Sequence, residues 1–203
     1  MKINEIKYNP NKKSIIIVEG PQGGGKTTFV EHCRENMPYT NLYRLYGTSD
    51  KTETGKAKAE KMYYDLLDYM KKLEKVDLNL LFDRTFFTEE VYCRLEYKAY
   101  GFSDVYSKLV EKLNDIDLNI FVVILSLKNT ALFSDRLNRN KTKVKYVDFN
   151  IQNSINQQET YLALADELQK YDNINPVVVS TDNFEEAYKQ LHELLPPLST
   201  KEH

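Results

Sequence analysis

The sequence predicts an α/β fold of three layers, with a parallel β-sheet between two layers of helices. Three observations support this: short apolar runs alternate with helical patterns along the 203 residues, the runs are rich in β-branched residues, and no long linker divides the chain. Strands buried on both faces of a parallel sheet form continuous apolar runs, and each right-handed crossover places its helix over the sheet. The length fits one core. We therefore expect residues 1–203 to form a single domain.

The elements follow one another with clear boundaries in the first part of the chain. SIIIVE at residues 14–19 is the first strand, and a glycine-rich turn follows it directly. The helical pattern of 26–36 stops before Pro38, which cannot continue a helix. Residues 41–46 predict a second strand that ends at Gly47. Five strands are predicted in all, at 14–19, 41–46, 78–82, 119–125 and 176–180.

The helices between the strands show an apolar period close to 3.6 residues. The clearest pattern, at 56–75, also has three lysines near its end, which suits the helix dipole. Gly101 separates two further helical patterns before the most apolar strand, NIFVVIL. Seven helices are predicted, at 26–36, 56–75, 89–99, 103–114, 130–140, 153–171 and 184–195.

Composition and charge exclude several classes of protein. The net charge of −2 gives no global attraction to nucleic acid or to an anionic membrane, so nucleic-acid binding is an unfavoured alternative that stays open. No apolar run approaches the roughly 20 residues of a membrane span. The N-terminal segment lacks the apolar core of a secretion signal, so we expect a cytoplasmic protein with Cys33 and Cys93 reduced.

The turn after the first strand has the spacing of a phosphate-binding loop: two glycines bracket four residues and are followed by Lys26 and Thr27. Glycines let backbone N–H groups approach phosphate oxygens, and the helix N-terminus adds a positive dipole end. Lys26 would reach the β- and γ-phosphates of ATP, and the Thr27 hydroxyl would bind Mg²⁺. The alternative is a glycine-rich turn that only joins a strand to a helix. The predicted nucleotide-binding residues are Gly20, Gln22, Gly23, Gly24, Gly25, Lys26, Thr27 and Thr28.

An acid and a base follow the third strand, at Asp83 and Arg84. Asp83 is predicted to order the Mg²⁺ shell or to accept the proton of the attacking oxygen. Arg84 is predicted to hold the acceptor group or the moving phosphoryl group, because phosphoryl transfer depends on positioning and charge stabilisation. An ordinary ion pair at a strand end is the alternative.

A basic segment at 136–145 predicts a lid over the triphosphate, at about residues 136–147. Arg136 and Arg139 lie three residues apart, hence on one helical face, and are predicted to contact the same phosphates. Closure of such a lid would keep water away from the phosphoryl group. A solvated basic surface and a nucleic-acid contact are the alternatives.

Three motifs, VEGPQGGGKTT at 18–28, FDRTFFTEEVY at 82–92 and DRLNRNK at 135–141, resemble the thymidylate kinase-like branch of the nucleoside and nucleotide kinases. The resemblance covers nearly the whole chain and implies a P-loop NTPase fold with a five-stranded parallel sheet, an Asp-Arg pair after the third strand and an arginine-bearing lid. It also implies that Arg44 and Arg84 bind the acceptor phosphate, that Tyr161 lies near the acceptor nucleoside, and that dimers are common.

Other features bear on the acceptor. Phe87 and Tyr92 are candidates for contact with a nucleoside, with core packing as the alternative for each. Thymidylate kinases usually carry Asp where this chain has Gln22, and Tyr where it has Thr85. The second motif is also similar to kinases encoded by tailed bacteriophages.

The resulting functional hypothesis is an ATP- and Mg²⁺-dependent kinase of a deoxynucleoside monophosphate, with thymidylate or a modified pyrimidine nucleotide as acceptor. A deoxynucleoside kinase is the first alternative. A kinase of polynucleotide ends or of bases within DNA, and an ATPase switch that hydrolyses without transfer, are the others.

Overall fold

A computed structural model describes residues 6–138 and 150–196 of the chain. It confirms the predicted three-layer architecture, because five parallel strands form one sheet in the order β2-β3-β1-β4-β5. The strands are β1 Ser14–Glu19, β2 Thr40–Arg44, β3 Asn79–Asp83, β4 Asn119–Ser126 and β5 Ile174–Ser180. The helices are α1 Lys26–Asn36, α2 Glu53–Lys72, α3 Phe86–Arg94, α4 Ser103–Asn114, α5 Leu132–Leu137, α6 Ile151–Leu168 and α7 Phe184–Leu194.

The central strand β1 pairs with β3 on one side and β4 on the other, and all six of its residues are buried. Alternate side chains point to opposite faces of the sheet. On one face Ile16 and Val18 pack with α1 and α7, and on the other Ile15 and Ile17 pack with α2, α3, α4 and α6. Two apolar cores therefore hold the helices on both faces.

The parallel register brings the carboxyl ends of three strands together. Val18 of β1 lies opposite Asp83 of β3, and Arg44 of β2 lies opposite the other side of Asp83. Glu19, the last residue of β1, lies opposite Ile124 of β4. The polar residues at these strand ends thus share one edge of the sheet, where ligands bind in open α/β sheets.

Several predicted boundaries were wrong, for local reasons. Helix α3 begins at residue 86 rather than 89, and its first turn is as deeply buried as its centre. Strand β5 begins two residues before Pro176, which is tolerated because β5 is an edge strand with β4 as its neighbour. Asn150 caps α6 by accepting a hydrogen bond from Asn153 N at 2.7 Å, so that helix starts at 151.

Strand β2 ends at Arg44 rather than at residue 46, and α2 extends from 53 to 72 rather than from 56 to 75. Helix α5 is also shorter than predicted, since it spans 132–137; residues 139 and 140 lie outside the described part of the chain. Among the helices in the described ranges, none is long and apolar enough to cross a membrane.

Candidate active site

The loop between β1 and α1 depends on its glycines. Gly20 has φ +145°, and a Cβ added to it would lie 2.8 Å from the backbone oxygen of Leu125. Gly25 has φ +87°, and a Cβ there would lie 2.6 Å from the Phe184 ring. Larger residues would both strain the backbone and collide with their neighbours. The loop is therefore held close against the end of β4 and the start of α7.

The first turn of α1 offers backbone donors to an anion. Gly25 caps the helix without a side-chain hydrogen bond, and no acidic residue lies in the first turn. The first N–H groups of a helix have no partner within the helix, and the dipole makes this end positive. Thr27 and Thr28 are both exposed there. This is the arrangement that phosphate binding requires.

Lys26 lies against the loop it belongs to. Its Nζ donates to the carbonyl oxygens of Gly20 at 2.6 Å and Pro21 at 2.8 Å, and the side chain is largely buried. A phosphate that approaches the loop would offer stronger acceptors than these carbonyls, because hydrogen bonds between charged groups are shorter and stronger.

Asp83 and the residues beside it form the second part of the site. Asp83 Oδ1 is buried and has no hydrogen-bond partner among the described residues. Arg44 Nε lies 3.9 Å from Asp83 Oδ2, and Arg44 Nη2 donates to Glu31 of α1. An orphaned carboxylate oxygen at a phosphate site suits the hydration shell of Mg²⁺, a cation that binds few protein ligands and keeps several waters. Asp83 and the Thr27 hydroxyl thus fit a magnesium ion chemically.

Arg84 has an unusual backbone, with φ +73°, a left-handed conformation that L-residues rarely adopt. Its guanidinium forms no hydrogen bond or ion pair with any residue in the described ranges. Burial lowers the pKa of Arg84, but the nearby Tyr92, Tyr161 and Asp83 outweigh that effect and raise the pKa above its ordinary value. The Arg84 guanidinium therefore lies in the same region as Asp83, but no hydrogen bond within the described residues holds it there.

Arg136 approaches the loop from the opposite side. Its Nη1 lies 3.4 Å from Gly23 O and 3.2 Å from Thr181 Oγ1, and its guanidinium lies 5.1 Å above the Phe184 ring. Thr181 Oγ1 also donates to Gly24 O at 2.9 Å. These contacts join α5 and the end of β5 to the carbonyl side of the loop.

Comparisons with known proteins agree with this geometry at the level of the fold. No family model matches the sequence, and no curated protein matches it significantly. Among solved structures, thymidylate kinase from Candida albicans superposes with a TM-score of 0.66 at 12% identity, over 91% of this chain and 92% of that one. The chain has a thymidylate kinase-like fold.

Two other structures share this thymidylate kinase-like fold with the chain. Deoxyadenosine kinase from M. mycoides, with dCMP and a flexible dCDP bound, matches with a TM-score of 0.53 at 16% identity, over 91% of this chain and 98% of that one. The YorR protein of Bacillus subtilis, in complex with phosphorylated GDP, matches with a TM-score of 0.58 at 15% identity, over 89% and 95%. None of these comparisons supports a bacteriophage origin.

Within the thymidylate kinase-like fold, the loop residues and Lys26, Asp83, Arg84 and Arg44 come together at one edge of the sheet. Arg136 contacts the loop by donating to the carbonyl oxygen of Gly23. Arg139 and most of the predicted lid at 136–147 lie outside the described residues.

The aromatic candidates differ in their surroundings. Phe87 is fully buried and stacks on Phe86 with ring centroids 4.4 Å apart, which agrees with the core-packing alternative. Tyr161 is also buried, but its hydroxyl lies 2.9 Å from Thr88 Oγ1. Tyr92 is half-buried and packs against Tyr97 at the side of the site where Arg84 lies. Of the three, Tyr92 keeps the most surface for contact with a ligand.

Sequence reasoning missed two polar residues of α6 that hold the site. Gln157 Oε1 accepts a hydrogen bond from Gln22 N of the loop at 3.0 Å, and Gln157 Nε2 is buried without a partner in the described ranges. Gln158 binds both the N–H and the carbonyl of Leu127, directly after β4. The only sequence signal was the repeated glutamine on an otherwise mixed helix face.

The other missed residue is Glu19, a carboxylate at the end of the apolar strand that leads into the loop. It is fully buried, and burial raises its pKa to about 7, against the opposing effects of hydrogen bonds from Thr88 and Thr85 and of the charges of Lys26 and Arg84. The sequence signal for Glu19 was a single charged residue at the end of an otherwise apolar strand.

Proposed function

We propose that this protein transfers the γ-phosphoryl group of ATP to a deoxynucleoside monophosphate, with thymidylate or a modified pyrimidine nucleotide as acceptor. The observation that carries the proposal is the convergence of Lys26, Asp83, Arg84 and Arg44 beside a phosphate-binding loop. The thymidylate kinase-like fold supports the same reaction class. Phosphoryl transfer needs such convergence because its transition state is stabilised by positioned charges rather than by covalent chemistry.

On the donor side, the loop N–H groups and Lys26 bind the phosphates, and Thr27 and Asp83 would hold a magnesium ion. The ion, when bound, neutralises charge on the β- and γ-phosphates. Lys26 leaves the carbonyls of Gly20 and Pro21 to do so. Arg136 and Arg139 approach the triphosphate from the predicted lid.

On the acceptor side, Arg44 and Arg84 bind the phosphate of the acceptor and bring its oxygen in line with the γ-phosphorus. Asp83 lies opposite Arg44 in the register of the sheet and directly precedes Arg84 in the chain. It either accepts the proton of the attacking oxygen or orders the metal shell. Tyr92 contacts the acceptor nucleoside. Tyr161, which is buried, lies near the acceptor nucleoside and supports this side of the site.

A deoxynucleoside kinase is the second candidate, and one contact favours it. Arg44 donates to Glu31, so part of its charge is already neutralised before any acceptor phosphate arrives. The structural similarity to deoxyadenosine kinase is consistent with this alternative. An acceptor hydroxyl without a phosphate would leave the Arg44–Glu31 pair intact.

The test is transfer from labelled ATP with Mg²⁺ to a panel of deoxynucleosides, their monophosphates and a DNA oligonucleotide, with a control that lacks acceptor. We expect a diphosphate product from one monophosphate. Labelling of nucleosides or of DNA alone would assign the protein to the corresponding alternative, and hydrolysis that does not depend on an acceptor would indicate an ATPase switch.

The donor site has its own test in Lys26→Ala. The variant should lower kcat by about 100-fold or more, since it removes a cation from the transferred phosphoryl group. Lys61→Ala, on the exposed face of α2, is the matched control and should keep full activity. Equal activity of the two variants would contradict the proposed phosphate site.

A further inference from the structure

Glu19 has more hydrogen-bond partners than any other carboxylate at the edge of the sheet. Its Oε1 accepts from Thr85 N at 2.6 Å and lies 3.2 Å from Thr85 Oγ1. Its Oε2 accepts from Thr88 Oγ1 at 2.7 Å and lies 3.3 Å from the Tyr161 hydroxyl. Every donor comes from α6 or from the segment that follows Arg84, so the carboxylate ties both to the start of the phosphate loop.

The contacts to Glu19 control the backbone of Arg84 in particular. Arg84 N donates to Val18 O at 3.1 Å, and the next amide, Thr85 N, donates to Glu19. Both peptide groups that flank the Arg84 Cα are therefore fixed to neighbouring residues of β1. A left-handed residue persists only where its surroundings hold it in place. The left-handed backbone therefore sets where the Arg84 side chain starts, and no hydrogen bond within the described residues holds its guanidinium end.

We propose that Glu19 is the positioning residue for Arg84: its carboxylate, through Thr85 and Thr88, holds Arg84 in the left-handed conformation that directs the guanidinium at the phosphates. The proposal rests on the phosphoryl transfer proposed above. It assigns no contact between Glu19 and substrate, because the carboxylate is fully buried behind the loop.

The charge of Glu19 matters as well as its shape. Two cations, Lys26 of α1 and Arg84, lie near the carboxylate. Asp83 lies opposite Val18, the residue before Glu19, in the β1–β3 register. The hydroxyls of Tyr63 in α2 and Tyr161 in α6 also face Glu19. In its ionised form Glu19 is a shared counterion for Lys26 and Arg84. Protonation removes that charge and turns one accepting oxygen into a donor, which disrupts the contacts of Oε2.

The proposal therefore predicts a pH effect with a definite sign. Burial raises the pKa of Glu19 to about 7, so the carboxylate is ionised above that pH and becomes protonated as the pH falls through it. We therefore expect kcat to decline as the pH falls below about 7, and we call this decline the acidic limb of the kcat profile. A carboxyl at its ordinary pKa of about 4.3 would place the decline far lower.

Two variants test the role of Glu19 in catalysis. Glu19→Gln keeps the size of the side chain but removes its charge and one acceptor; we expect kcat to fall on the order of 100-fold, as small misplacements of a catalytic group do. The KM for ATP should change little, because the loop backbone is intact. Thr88→Val removes a hydrogen bond that lowers the pKa of Glu19, and should move the acidic limb of kcat to higher pH.

The two variants also separate positioning from a purely structural role. A structural role would lower the melting temperature without moving the limb. A Glu19→Gln enzyme with kcat within twofold of the wild type, or a limb that Thr88→Val leaves in place, would overturn the proposal.

A second measurement does not depend on activity. It therefore distinguishes a failure of the Glu19 proposal from a failure of the proposed kinase function. The amide proton of Thr85, which donates to Glu19, should give a strongly downfield NMR signal that titrates near pH 7 and is lost in Glu19→Gln. If the Thr85 amide signal of the wild type does not titrate near pH 7, the role of Glu19 is refuted whatever the acceptor proves to be. Titration without transfer to any acceptor would instead leave Glu19 in place and refute the kinase assignment.

Discussion

Removal of the Arg44 side chain distinguishes the two acceptor classes most sharply. Hydrogen bonds to charged groups contribute about 1.5–3 kcal/mol. Binding a phosphate would cost Arg44 its exposed pair with Glu31, which is worth about 0–1 kcal/mol. The net loss in Arg44→Ala is then about 0.5–3 kcal/mol, or roughly 2- to 150-fold in kcat/KM for a monophosphate.

The assay compares kcat/KM for one deoxynucleoside and its monophosphate in the wild type, in Arg44→Ala and in Glu31→Gln. Glu31→Gln should act in the opposite direction and raise kcat/KM for the monophosphate, because it frees Arg44. Arg34→Ala, which removes an exposed arginine from the other end of α1, is the matched control. An equal loss for nucleoside and monophosphate in Arg44→Ala would refute the assignment of Arg44 to the acceptor phosphate.

Further predictions concern the loop and the metal site. Gly20→Ala should lower the melting temperature by roughly 10 °C through backbone strain and the contact with β4, whereas Gly101→Ala, with nothing within 4 Å of the new Cβ, should change it little in the same thermal scan. Asp83→Asn should lower kcat by about 100-fold and raise the Mg²⁺ concentration for half-maximal rate; an unchanged Mg²⁺ dependence would leave only the proton-acceptor role. Gln157→Ala should raise the KM for ATP several-fold, by roughly 1 kcal/mol of lost hydrogen bonding to Gln22 N; an unchanged KM would show that the loop holds its shape without α6.

The parts of the site that the sequence predicted are local ones. The glycine loop and Lys26 follow one strand, and Asp83 and Arg84 follow another, so the apolar pattern alone places both at the carboxyl edge of a parallel sheet. Their chemistry follows from residue types at fixed spacings. Arg44, by contrast, was assigned by the resemblance to the thymidylate kinase-like kinases, and the structure places it as the last residue of β2.

The parts that the sequence did not predict depend on contacts between distant residues. Gln157 lies 135 residues from its partner in the loop, and Tyr161 lies 142 residues from Glu19. No short spacing encodes such pairs. The boundaries of α3 were missed for a related reason. Glu89 and Glu90 are buried in that helix, where Tyr100 donates to Glu89 and Ser103 donates to Glu90, so the apolar period is interrupted.

Carboxylates face the three cations at the sheet edge, in a protein whose net charge is only −2. Glu31 pairs with Arg44, and Glu19 is the counterion of Lys26 and Arg84. Phosphates must compete with these partners, so affinity is reduced while the cations stay in place. Glu31 is exposed and can yield its arginine at little cost, whereas Glu19 is buried and hydrogen-bonded and keeps its position. Under the proposed function, Arg44 is therefore the arginine that acceptor binding releases, and Arg84 is the one that Glu19 keeps in place.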